Sequence, residues 1–84
     1  MTYSISILRS AQKSLDSLHT SIQDRIVNAI RRLASNPRPP GVKKLTGRNA
    51  WRVRVGDYRI IYEISDVALT ILIVDIGHRK EIYR

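Results

Sequence analysis

Trp51-Arg52-Val53-Arg54-Val55-Gly56-Asp57-Tyr58-Arg59-Ile60-Ile61-Tyr62-Glu63-Ile64 is the stretch from which the fold can be read. Character alternates with a period of two on either side of Gly56-Asp57, which marks two strands joined by a two-residue turn of the Gly-X kind. That turn sets the pairing: Val55 faces Tyr58, Arg54 faces Arg59, Val53 faces Ile60, Arg52 faces Ile61 and Trp51 faces Tyr62. One face of the hairpin then carries Trp51, Val53, Val55, Tyr58, Ile60 and Tyr62, and must pack on an apolar layer. The other face carries Arg52, Arg54 and Arg59. A slip of one residue exchanges the two faces. It would bury three guanidinium groups and expose Trp51, so the register is strongly specified.

Working outward, Ala50–Val55 and Tyr58–Ile64 are the hairpin strands. Ser65-Asp66 reads as a second turn. Val67–Ile76 reads as a third strand, apolar on both faces (Leu69, Ile71, Ile73; Leu72, Val74, Ile76) and therefore expected inside the sheet. Gly77 ends it, and a charged tail runs from His78 to Arg84. Upstream, residues 37–47 read as a loop. Before that loop the period is helical. Ile22, Ile26, Ala29, Ile30 and Leu33 form one stripe, closed at Asn36-Pro37 because the residue before proline leaves the α region. Thr20 with Gln23 reads as a capping box for this helix. Ala11, Leu15 and Leu18 mark a shorter helix, and Tyr3–Leu8 alternates as an opening strand. The order β-α-α-β-β-β predicts an α+β fold: an N-terminal strand, a helical hairpin, then a three-stranded antiparallel meander. The expected product is one mainly antiparallel four-stranded sheet with the helices on one face.

Eighty-four residues allow one domain, residues 1–84. With no cysteine, and His19 and His78 as the only histidines, a disulfide framework and a zinc finger are excluded and no metal site or cofactor is expected. No apolar run reaches the roughly 20 residues of a membrane span. Met1-Thr2-Tyr3-Ser4 lacks the basic start of a secretory leader. A cytoplasmic location without a membrane partner is expected. Fifteen Lys+Arg against seven Asp+Glu leave a net charge of +8. Repulsion on that scale opposes compactness and points to a polyanionic partner, most commonly nucleic acid.

The Arg face sharpens this expectation. Arg54 and Arg59 are direct cross-strand neighbours, where like charges destabilise. Three guanidinium groups on one patch, with Glu63 two positions further along the same face, suit an anion cradle, since the planar fork of Arg donates bidentate hydrogen bonds to phosphate. A solvated basic face is the plain alternative. The tail brings His78, an acid or base near neutral pH, and Tyr83, able to stack on a base. Lys43 and Lys44 in the preceding loop, and Arg48 just after it, read as non-specific contacts to nucleic-acid phosphate or as simply solvated groups. His19 receives no role. No Gly-rich phosphate loop, nucleophile elbow or metal-spaced carboxylate pair is present. Metal-free cleavage of RNA is compatible with this inventory, because RNA supplies its own 2′-hydroxyl nucleophile.

Three segments together resemble a known family: Lys43-Lys44-Leu45-Thr46-Gly47, then Trp51 to Tyr62, then Ile76-Gly77-His78-Arg79-Lys80-Glu81-Ile82-Tyr83-Arg84. They are similar to the RelE branch of the RelE/ParE toxin superfamily, and the resemblance spans essentially the whole chain. It implies a prokaryotic, cytoplasmic toxin that enters the ribosomal A site and cuts mRNA without a metal. It also implies a cognate antitoxin, RelB-like, acidic and folding on binding, with operator DNA bound only through the toxin–antitoxin complex. By the same resemblance Arg52 and Arg54 hold phosphate and assist proton transfer, and Arg59 stabilises the transition state. Arg79 acts on the leaving group and Tyr83 stacks on the substrate base. The best-known RelE carries lysines where this chain has Arg52 and Arg54. An arginine stays protonated and is a poor general base, which leaves His78, Glu63 or a water for that role. Two other readings stay open: a ParE-like toxin that inhibits DNA gyrase by binding, and a basic nucleic-acid-binding module without catalysis.

Overall fold

The computed structural model of the chain describes residues 2–78. Its elements are β1 (Ser4–Ile7), α1 (Arg9–Asp16), α2 (Thr20–Ser35), β2 (Lys43–Lys44), β3 (Trp51–Val55), β4 (Tyr58–Ser65) and β5 (Thr70–His78). The sheet order is β1-β5-β4-β3-β2, with β1 parallel to β5 and every other pair antiparallel. The class is the expected α+β, but the sheet has five strands rather than four. The additional strand is the dipeptide Lys43–Lys44, paired with Arg52 and Trp51. Two adjacent lysines carry no alternation to read. They become a strand only because Leu45 N–H donates to the Ala50 carbonyl at 2.9 Å and closes a hairpin onto β3.

The β3–β4 hairpin has the register expected from its turn, residue for residue, with Gly56 at φ 60°. Its apolar face meets the helices. Ile60 and Tyr62 of β4, Ile71, Ile73 and Ile76 of β5, Ala11 and Leu15 of α1, and Ile26, Ile30 and Leu33 of α2 form one buried core. Each leucine or isoleucine among them contributes about 1.5–3 kcal/mol on burial. Helix α2 ends at Asn36, whose extended backbone precedes Pro37 as expected. Its start differs. The cap is His19, whose Nδ1 accepts the Ser21 backbone N–H at 3.2 Å, whereas Gln23 turns back to donate to the carbonyls of Asp16 and Leu18. A ring nitrogen thus does what Thr20 was expected to do, since any acceptor in reach serves the orphaned N–H groups of a helix start.

Two further differences lie in β5. Its start is Thr70, not Val67. Residues 66–69 form the turn, Leu69 adopts φ 56° and Val67 is fully exposed at the tip. The strand is also out of phase with simple alternation. Ile61 pairs with Asp75 but Tyr62 pairs with Ile73, so Val74 is an extra residue, a β-bulge. Past the bulge the faces exchange. Ile76 joins Ile71 and Ile73 in the core, and Asp75 and Gly77 fall on the side away from the helices.

Burial pushes the Tyr62 phenol up to about 12, and its hydroxyl donates to the Pro37 carbonyl at 2.7 Å. A phenol held neutral in the fold stabilises fully below its unfolded value near 10. That contribution is lost as pH rises from about 10 towards about 12, because the unfolded chain ionises first. Thermal melts should therefore fall over that window. Tyr62→Phe should flatten this part of the fall, and should cost about 1–2 kcal/mol at neutral pH by leaving the Pro37 carbonyl unmet. An unchanged alkaline slope in Tyr62→Phe would refute the assignment.

Candidate nucleic-acid interface

The face of the sheet turned away from the helices is built row by row from the strand pairings. Lys43, Arg52, Ile61 and Asp75 stand in one row, on β2, β3, β4 and β5. Arg54, Arg59 and Gly77 stand in the next. Neighbouring strands lie about 4.8 Å apart, so four cationic side chains share two adjacent rows. Val55 and Tyr58 flank a two-residue turn and exchange backbone hydrogen bonds, which makes Arg54–Arg59 the other kind of pair, with side chains closest together. Arg54 is exposed and Arg52 half-buried, but Arg59 is only 7% exposed, the one buried charged residue among those described. Burial of a guanidinium costs several kcal/mol before compensation. Gly77, which carries no side chain of its own, faces Arg59 on the side opposite Arg54.

A cleft of about 300 Å³ opens at the outer edge of these rows, lined by Pro40, Gly41, Lys43, Arg52, Val53 and Arg54. Lys44 has the opposite orientation to Lys43. It pairs with Trp51, and its Nζ lies 5.9 Å from the Trp51 ring centre. Arg48 is exposed in the loop between β2 and β3. His78 does not join the arginines. Its partner is Tyr58, on the helix side of the sheet, and the two rings meet edge-on with centres 5.5 Å apart. The Val74 bulge is the reason, since without it His78 would fall on the arginine face. Glu63 stands on that face, exposed, one row beyond Ile61. Arg79 and Tyr83 lie outside the described residues. Among the described residues no cluster of three or more His, Cys, Asp or Glu is placed to hold a metal ion.

Residues 5–83 match the family of ParE toxins of type II toxin–antitoxin systems. The chain belongs to this toxin family. An Escherichia coli protein bearing the name RelE-like toxin is 24% identical over 82 residues, covering 95% of this chain and 86% of that one. The fold is similar to a chain in the crystal structure of the archaeal RelE–RelB complex from Pyrococcus horikoshii OT3. There the TM-score is 0.85 and the identity 31%, over 96% of this chain and 99% of that one. It is also similar to a chain of the toxin–antitoxin complex RelBE2 from Mycobacterium tuberculosis, with TM-score 0.82 and 27% identity over 94% and 100% of the two chains. The resemblance drawn from the three sequence segments is thereby borne out, and the chain is the toxin component of a RelE/ParE-type system.

One part of this toxin's surface is not legible along the sequence. Arg38 makes an ion pair with Asp66 at 3.0 Å, Tyr3 donates to the same carboxylate at 2.7 Å, and the Arg38 guanidinium lies 4.9 Å from the Trp51 ring centre. Hydrogen bonds from Arg38 and then Tyr3 hold the Asp66 carboxyl below its ordinary range. Together they tie Arg38 of the 37–41 loop, one wall of the cleft, to the β4–β5 turn, to the residue before β1 and to the start of β3. A local pattern does not reveal partners 28 and 63 residues apart. No helix among the described residues is long and apolar enough to cross a membrane.

Proposed function

We propose that this toxin is a metal-independent endoribonuclease that cleaves mRNA in the ribosomal A site by attack of the RNA's own 2′-hydroxyl, and so inhibits translation. The observation that carries the reading is the Arg54–Arg59 cross-strand pair, kept beside Arg52 and Lys43 on one face. A sheet selected for folding alone has no use for this like-charge contact. A phosphorane, with its extra negative charge, does. Arg52 and Arg54 position the RNA backbone, and Arg59, held rigid by burial, meets the charge that develops in the transition state. Arg79 serves the leaving group and Tyr83 the substrate base, roles that rest on the family resemblance. Lys43 and Arg48 contact flanking phosphates, whereas Lys44, turned to Trp51 on the other face, does not reach the same backbone. Its ring against Tyr58, His78 stands apart from the reacting phosphate, so the proton passes to Glu63 or to water.

The similar RelE chain of Pyrococcus horikoshii OT3 was solved in complex with RelB. By analogy the cognate partner here is an acidic, RelB-like antitoxin that folds on binding, and operator DNA is bound through that complex. The test of the whole reading is induced expression followed by primer extension on a translated message. Codon-phased breaks are expected. Intact message accompanied by DNA damage would assign the toxin to gyrase inhibition instead.

A further inference from the structure

The cleft at the outer edge of the arginine face has features that phosphate clamping does not require. Strand β2 ends, in pairing, at Lys43 opposite Arg52. Its hairpin partner β3 continues for three more residues, so Val53–Val55 run past the end of β2 as a sheet edge with no other strand beside it among the described residues. Backbone groups alternate in direction along an antiparallel strand. Since Val53 and Val55 turn theirs towards β4, Arg54 presents its N–H and C=O to the cleft. Pro40 and Gly41 form the facing wall, the latter at φ 87° with nothing within 4 Å of where a Cβ would stand. The charged side chains lining the cleft are Lys43, Arg52 and Arg54, all cationic. Its volume of about 300 Å³ lies at the small end of ligand sites.

We propose that this cleft is a nucleotide subsite, distinct from the position of the cleaved phosphate, which takes the neighbouring nucleotide of a bound RNA. Lys43 and the Arg54 side chain hold its phosphate. The open backbone edge of Arg54 offers one donor and one acceptor to the edge of its base, and Pro40-Gly41 lies along the base plane. A donor–acceptor pair fixed in the backbone discriminates among bases, which phosphate contacts do not. The subsite is therefore a source of sequence preference. The inference builds on the nuclease reading for its biological meaning, but not for its test.

The full-length toxin, free of antitoxin, is titrated with the four ribonucleoside 3′-monophosphates and with inorganic phosphate, and backbone amide resonances are followed. The expected result is a response at Gly41, Lys43 and Arg54, with at least one nucleotide binding about tenfold more tightly than inorganic phosphate, the worth of one or two added hydrogen bonds. Lys43→Ala should weaken nucleotide binding about tenfold. Arg31→Ala, which removes the same charge from the exposed side of α2, should leave it unchanged. Equal affinity for inorganic phosphate and all four nucleotides, or equal loss in both variants, would reduce the cleft to a general basic surface and overturn the proposal. A response to an acidic peptide but to no nucleotide would assign the cleft to a protein partner and also overturn it. Cleavage plays no part in these measurements. Nucleotide binding by a toxin that leaves message intact would sink the nuclease reading alone, and codon-phased cleavage with a silent cleft would sink the subsite alone.

Discussion

A message with a single 2′-deoxy nucleotide at the cleaved position is expected to leave the toxin-treated ribosome uncut, while the all-ribose message is broken there. On the proposed mechanism the nucleophile belongs to the RNA, so its removal abolishes the reaction outright and leaves binding nearly intact. The arginine face has the properties this chemistry asks of a protein: fixed positive charge around a phosphate and no need for a nucleophile of its own. The upstream fragment should end in a 2′,3′-cyclic or 3′-phosphate. Undiminished cutting of the deoxy message, or a 3′-hydroxyl end, would mean that water or a protein group attacks instead.

The second large effect concerns Arg59. Arg59→Ala should lower the cleavage rate on the order of 10²–10³-fold, the usual loss on removing one preorganised donor from a transition state. Arg59 is the arginine with the least freedom, buried on the central strand β4 between Arg54 and Gly77. Its guanidinium therefore needs little reorganisation when charge develops. Because alanine there also empties a buried space, Arg59→Lys is the companion variant. It keeps the charge and most of the volume but loses the two-pronged fork, and should remain folded yet slow. Arg54→Ala should slow cleavage as well, but raise the melting temperature slightly, since the exposed member of a like-charge pair is gone. Full activity with Arg52, Arg54 and Arg59 all replaced would remove the face from the mechanism.

The antiparallel core of the fold is written locally. Gly56-Asp57 with its flanking alternation dictates the β3–β4 pairing, because turn length and side-chain period leave a single register that hides Trp51 and keeps three arginines out of the core. The α2 stripe and its stop at Asn36-Pro37 are equally local, since helical period and the pre-proline restriction act within a few residues. The composition of the arginine face follows from the same register.

Which groups complete that face was decided in three dimensions. Lys43–Lys44 is a strand only because β3 offers it an edge, and that pairing sends Lys43 to the arginines and Lys44 to Trp51. The Val74 bulge turns Ile76 inward, sets Gly77 beside Arg59 and carries His78 to the helix side, against the simple alternation the apolar run suggests. The run could not announce the bulge, because a segment apolar on both faces reads the same in either phase. The Arg38–Asp66–Tyr3 tie likewise joins residues that only the sheet brings together. The hairpin, the helical stripe and the presence of an arginine face are all legible along the chain, since turns and periodicities act within a few residues. Only the tertiary structure decided which cations share that face and how deeply Arg59 lies, because strand edges, bulges and burial arise between segments distant along the chain.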